Sequence, residues 1–219
     1  MVIVFDMDDT LYPESAFVLS ALSDVGSYAE KKWGYKNFKA TLEKLFLEGE
    51  KTQLFQKAAL ITQGVTMPLK QVEELLNYYR EHQPPKLPWH TDALEIVPEL
   101  AKRYPLGLIS DGYMPVQLNK AKALDVGRWI KEVIFTEELG RAHWKPAPTA
   151  FKLMMHKFPG EKFTYIGDNP QKDFIAPRQL GWKTIHILRP DAQHSANIAQ
   201  NLFPAEHQIK DLTLIKTLL

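Results

Sequence analysis

Five short apolar runs, spaced by helical patterns, constrain this chain more than any other feature. They read MVIVF (1–5), PLGLIS (105–110), EVIFT (132–136), FTYIG (163–167) and KTIHIL (183–188), the third being the weakest. Each is near-continuous rather than alternating, as in strands covered on both faces of a parallel sheet. Helical segments fall between them, at 91–103, 115–124, 147–158 and 171–180. Strands alternating with helices of that length form right-handed βαβ units, which predicts a Rossmann-like three-layer α/β core around a parallel sheet.

Residues 14–83 break the alternation. They show no strand pattern, only amphipathic stretches at Ser15–Trp33, Asn37–Leu47, Thr52–Thr62 and Leu69–Glu81, punctuated by Gly34, Gly49, Gly64 and Pro68. The stiff run PPKLP at 84–88 closes the block. The expected organisation is a core of residues 1–13 and 84–219 carrying an inserted all-helical cap, 14–83, and 219 residues suffice for both. Phe17, Phe38, Phe46 and Phe55, at helical spacing, are expected to fill the core of the insert. From Arg189 the chain turns polar, with a weak strand signal near Gln208 and Ile209 and a last helical turn at 211–219.

Composition narrows the function. A formal net charge of +1 gives no global field for nucleic acid or an anionic membrane, and no run approaches the ~18 apolar residues of a bilayer span. With no cysteine in the chain, thiolate nucleophiles and Cys-type zinc sites are excluded. The start reaches acidic residues by Asp6 and lacks a secretion signal, so the expected location is cytoplasmic.

Ligands of open parallel sheets bind beyond the carboxyl ends of the strands. The first run ends in Asp6-Met7-Asp8-Asp9-Thr10, the second in Ser110-Asp111-Gly112, and the fourth in Asp168-Asn169 with Asp173 five residues on. Lys145, in WKPAP, follows the third. Asp6 and Asp8 stand two apart and so share a face of an extended chain. Carboxylates about 4 Å apart repel by ~4 kcal/mol at an effective dielectric near 20. Three or four of them with one lysine call for a hard dication with oxygen ligands, and Mg²⁺ suits carboxylates combined with a phosphate. Asp9 reads as a loop or helix-capping residue. His143 and Trp144 read as packing residues, and Tyr12 and Tyr113 are placed to face the cleft.

DMDDT, the strand-terminal Ser110, Lys145-Pro146 and GDNPQKDF, in this order, resemble the four motifs of the haloacid dehalogenase-like superfamily, and the insert after the first motif resembles its helical-cap subfamily I. The resemblance spans essentially the whole chain. It implies an aspartyl-phosphate formed on Asp6 and an acid–base role for Asp8. Thr10 would brace the loop and contribute with Ser110 and the N–H groups of Asp111 and Gly112 to phosphate binding. Lys145 would neutralise Asp6 and the phosphoryl group. Mg²⁺ would be held by Asp6, the backbone carbonyl of Asp8 and Asp168, with Asp173 reaching it through a water and Asn169 supporting these ligands. An acid at position 8 favours an alkoxide over a halide as leaving group. The implied activity is hydrolysis of a small soluble phosphomonoester, a sugar phosphate or a nucleotide, under the helical cap as a lid. A phosphomutase shares the motifs, and a non-catalytic phosphate-binding regulator is the remaining alternative.

Overall fold

The computed structural model describes residues 1–190, 192 and 203–219, so part of the polar tail, 191 and 193–202, lies outside the described residues. The chain divides into two compact units, Met1–Glu14 with Lys86–Leu219, and Ser15–Pro85.

The first unit is built on a parallel sheet of six strands: β1 (Val2–Phe5), β2 (Leu106–Ser110), β3 (Glu132–Phe135), β4 (Phe163–Gly167), β5 (Lys183–Ile187) and β6 (His207–Ile209). Their order is β3-β2-β1-β4-β5-β6, so the chain reverses direction across the sheet at β1. All four residues of β1 are buried, which is why its sequence shows no polar alternation. Val2 and Val4 pack with Phe151 and Met154 of the helix Thr149–Lys157, and with Tyr165 and Trp182, while Ile3 and Phe5 alternate to the other face. Trp182 stacks on Phe163 with ring centroids 4.4 Å apart. The core is the Rossmann-like α/β fold that the apolar runs predict.

In chain order the helices are α1 (Glu14–Trp33), α2 (Phe38–Leu47), α3 (Leu54–Gln63), α4 (Leu69–Glu81), α5 (Thr91–Ala101), α6 (Val116–Ala123), α7 (Thr149–Lys157) and α8 (Ile175–Gln179). The helix expected at 171–180 is reduced to α8. Asn169 organises the preceding residues instead: its Oδ1 accepts from the Gln171 N–H (3.0 Å) and its carbonyl from the Asp173 N–H (3.0 Å). The last turn is a 3₁₀ helix, Leu212–Thr217.

The second unit consists of α1 to α4, apart from the first residue of α1. Leu22, Val25, Phe38, Leu42, Phe55 and Leu75 form its core, with Phe46 packed against them half-buried, and Phe17 is also fully buried. Gly26 of α1 is obligatory at a helix crossing, because a Cβ there would lie 2.4 Å from the Lys39 Cα. The buried ring of His82, just past α4, meets Asp24 Oδ2 at 2.9 Å and Ser20 Oγ at 2.9 Å, both on α1.

One ionic staple in the first unit bears on the site. Arg189 donates to both carboxylate oxygens of Asp92 (2.7 and 3.0 Å) and to the carbonyl of Thr10 (2.9 Å). Asp92 also accepts from the Leu212 N–H (2.8 Å).

Candidate active site

Strand register sets the site. Phe5 pairs with Leu108 on one side and Ile166 on the other, so Asp6 emerges one residue past that line, and Ser110 and Asp168 two residues past it. Asp6 extends the ladder, donating its N–H to the Ile166 carbonyl (2.8 Å). Met7 is buried, and Asp9 takes a positive φ of 49° that turns the chain. Asp9 Oδ1 then accepts from the N–H of Glu14, the first residue of α1, in the capping role read from its sequence. A cavity of about 200 Å³ opens over these strand ends, walled in part by Asp6, Asp8, Asp111, Trp144, Asp168 and Lys172.

Beneath it lies Lys145, whose side chain is completely enclosed. Its ammonium donates to Asp6 Oδ1 (2.7 Å), Asp173 Oδ1 (2.7 Å) and the Tyr165 hydroxyl (3.0 Å). Burial alone would discharge it, but Asp173 and Asp6 outweigh that and hold it well above the usual lysine range. Asp111 fixes the backbone of Lys145 through Oδ1 (3.0 Å), accepts from Thr136 Oγ1 (2.8 Å), and meets the Lys172 ammonium at 3.1 Å. Its carboxyl is lowered although burial works the other way, because Lys145 and Lys172 stand beside it.

Asp6, Asp168 and Asp173 each present an oxygen within 4.8 Å of the others. Asp168 Oδ2 is buried without a hydrogen-bond partner among the described residues, and the Asp168 carbonyl is held by His186 Nε2 at 2.8 Å. Burial pushes the Asp6 carboxyl up to about 7 despite Lys145, and Asp168 is raised well above the carboxylate range by burial and by Asp173 and Asp6. Acids penalised in this way, one with an orphaned oxygen, suit a hard dication with oxygen ligands. Asp173 is already committed on both oxygens, Oδ1 to Lys145 and Oδ2 to the Asn169 N–H (2.9 Å). Among the described contacts it therefore orients Lys145 and the 168–173 turn, and Asn169 contributes its backbone to the same turn.

Asp8 has a separate set of partners. Tyr12 donates to Oδ1 (2.6 Å), Lys120 to Oδ1 (2.8 Å) and the Gln117 amide to Oδ2 (2.7 Å). Burial would raise Asp8, but Lys120 and the hydrogen bonds of Lys120, Tyr12 and Gln117 lower it. Lys120 also bonds Glu14 (2.9 Å). Ser110 Oγ is within 2.8 Å of the same Gln117 nitrogen. Gly112 takes φ 138°, a conformation glycine favours. The Thr10 hydroxyl is enclosed without a partner among the described residues and does not wall the cavity, so the loop is braced here through the Thr10 carbonyl rather than that hydroxyl.

Besides Lys145, the one lysine expected at the strand ends, Lys120 reaches Asp8 and Lys172 reaches Asp111. Lys172 lies inside GDNPQKDF and could have been found there. Gln117 and Lys120 sit one turn apart on α6, a spacing visible in the sequence but indistinguishable from a solvated helix face. Tyr12, expected to face the cleft, is instead fully buried behind Asp8, to which its hydroxyl donates. Tyr113 remains partly exposed, with its ring edge-on to Trp144 at 5.7 Å. Trp144, read as a packing residue, walls the cavity while its indole N–H bonds Glu137 (2.7 Å).

Fold and site together define a Rossmann-like α/β enzyme core with an acid cluster at the carboxyl edge of its central strand. Residues 3–187 match the model of the haloacid dehalogenase-like hydrolase family, and the chain belongs to that family. A glyceraldehyde 3-phosphate phosphatase of Methanocaldococcus jannaschii is 26% identical over 201 residues, covering 85% of this chain and 84% of the relative. A phosphoserine phosphatase of Thermus thermophilus is 22% identical over 230 residues, covering 86% and 90%. The HAD-hydrolase YfnB from Bacillus subtilis, solved bound to magnesium, shares the fold with a TM-score of 0.68 at 18% identity, covering 100% of this chain and 97% of its own.

Proposed function

We propose that this protein is a Mg²⁺-dependent phosphatase that hydrolyses a small phosphomonoester through an aspartyl-phosphate on Asp6. The observation that carries the reading is the pairing of a buried Asp6, held on one oxygen by Lys145 at 2.7 Å, with the partnerless Oδ2 of Asp168 beside it. One carboxylate is fixed and aimed, and its neighbour is left to a ligand. The phosphatase relatives support the same reaction class for this chain.

Asp6 forms a bond to phosphorus as the bond to the alcohol oxygen breaks, and Asp8 gives that oxygen a proton. Water then attacks phosphorus, Asp8 takes its proton, inorganic phosphate departs and Asp6 is restored. Lys145 neutralises Asp6 and the charge gathering on the phosphoryl oxygens, joined by Ser110 and the N–H groups of Asp111 and Gly112. Mg²⁺ would be held by Asp6, the Asp8 carbonyl and Asp168, with Asp173 reaching it through a water, and would supply Lewis-acid stabilisation of the phosphoryl group. The donors on Asp8 favour its carboxylate, which suits the second half-reaction directly. Its protonated form, needed in the first, is the scarcer one. An acid here fits an alkoxide leaving group, and the reading therefore takes phosphate esters over halides. The substrate class is a sugar phosphate or a nucleotide, with sugar phosphates preferred, and the helical unit is read as a cap that excludes protein-sized substrates.

The test is phosphate release from p-nitrophenyl phosphate and a panel of phosphorylated metabolites with Mg²⁺. Asp6→Asn should abolish release while leaving the circular dichroism spectrum unchanged. A variant that still turns over would remove Asp6 from the role of nucleophile.

A further inference from the structure

α6 approaches the strand ends with a residue that the proposed chemistry does not use. The Gln117 side chain is buried to within 1% of complete enclosure, in the first turn of the helix. Its amide nitrogen lies 2.7 Å from Asp8 Oδ2, 2.8 Å from Ser110 Oγ and 2.6 Å from the Asp111 carbonyl. A single donor group thus touches the proton-handling carboxylate, the hydroxyl at the end of β2 and the loop that follows it. Asp8 stands about a hundred residues before Ser110 and Asp111 in the chain, and the Gln117 amide joins the two segments.

Gly112 supplies an independent observation. A Cβ at this position would fall 2.7 Å from Gln117 Cδ and 2.8 Å from its Cγ. The loop after β2 is therefore shaped to admit this one side chain. Lys120, a turn further along α6, holds the opposite oxygen of Asp8 at 2.8 Å, so the carboxylate is gripped on both oxygens from the same helix.

We propose that Gln117 is a positioning residue that locks Asp8 to Ser110, so that the proton source and the phosphate grip keep one fixed separation. This rests on the phosphatase reading given above and deepens it. The amide forms and breaks no covalent bond. It acts by aiming Asp8 at the oxygen that leaves.

Aim matters most where the departing oxygen is basic and needs a proton. The experiment compares kcat/KM, which reports the steps up to departure of the alcohol, for phenyl phosphate and p-nitrophenyl phosphate with saturating Mg²⁺. Gln117→Leu is expected to lose at least about tenfold more on phenyl phosphate than on p-nitrophenyl phosphate, a part of the 10²–10⁴-fold that general acid–base catalysis supplies in full. Gly112→Ala keeps the amide but displaces it, and is expected to shift the ratio the same way. Gln117→Met replaces the first variant if leucine prevents folding. Equal losses on both esters, or none, overturn the positioning role while leaving the phosphatase reading intact. A wild-type protein that releases phosphate from neither these aryl esters nor the metabolite panel overturns the parent reading, and this role with it.

Discussion

Titration with Mg²⁺ at two pH values examines the acid cluster directly. Burial holds the Asp6 carboxyl at about 7, against about 3.9 for an aspartate in an unfolded chain. The folded state therefore binds more protons than the unfolded state between those values, and stability falls as pH rises through that window. The cost is absent below about pH 4 and complete above about pH 7, where three pKa units amount to about 4 kcal/mol. A cation bound by the carboxylate form must displace that proton. From Asp6 alone, affinity for Mg²⁺ should be about 25-fold weaker at pH 5.5 than at pH 7.5, and Asp168, also raised, deepens the difference. Isothermal calorimetry at pH 6 in buffers of different ionisation enthalpy should register release of about one proton or more per ion. Thermal melts should show Mg²⁺ stabilising the protein more at pH 7.5 than at pH 5.5. An affinity equal at the two pH values, with no proton released, would refute the argument that these acids await a cation.

Lys145→Met leaves Asp6 and Asp173 facing each other in the interior. It should cost about 3–5 kcal/mol in urea melts at pH 7.5 and abolish turnover, the stability deficit shrinking toward pH 5 as Asp6, already raised by burial, takes up its proton. Gly26→Ala forces a methyl onto the Lys39 backbone and should destabilise the protein by about 1–3 kcal/mol, read as a lowered thermal midpoint.

The sheet was legible because strands buried on both faces need unbroken apolar runs, and β1, β2, β4 and β5 have them. The acids were legible because they terminate those runs. α6 was harder to read: its buried residues include Gln117, Asn119 and Lys120, so the polarity that normally marks the wet side of a helix here points inward. The segment 171–174 misled in the opposite way. It carries helix-compatible residues, but Asn169 and Asp173 use their hydrogen-bonding groups to build the turn and hold Lys145. The double commitment of Asp173 could not be read from spacing, since Lys145 reaches it only after the chain has closed.

The grip of Arg189 on Asp92 and on the Thr10 carbonyl has a consequence for how such a chain diversifies. Thr10, Asp92, Arg189 and Leu212 all belong to the unit that contains the sheet, although residues 15–85 interrupt it in sequence. The loop after β1 is moored from within its own unit. Exchange of the intervening helices for a different module would spare every one of these moorings, so the inserted unit can change while the loop after β1 keeps its place.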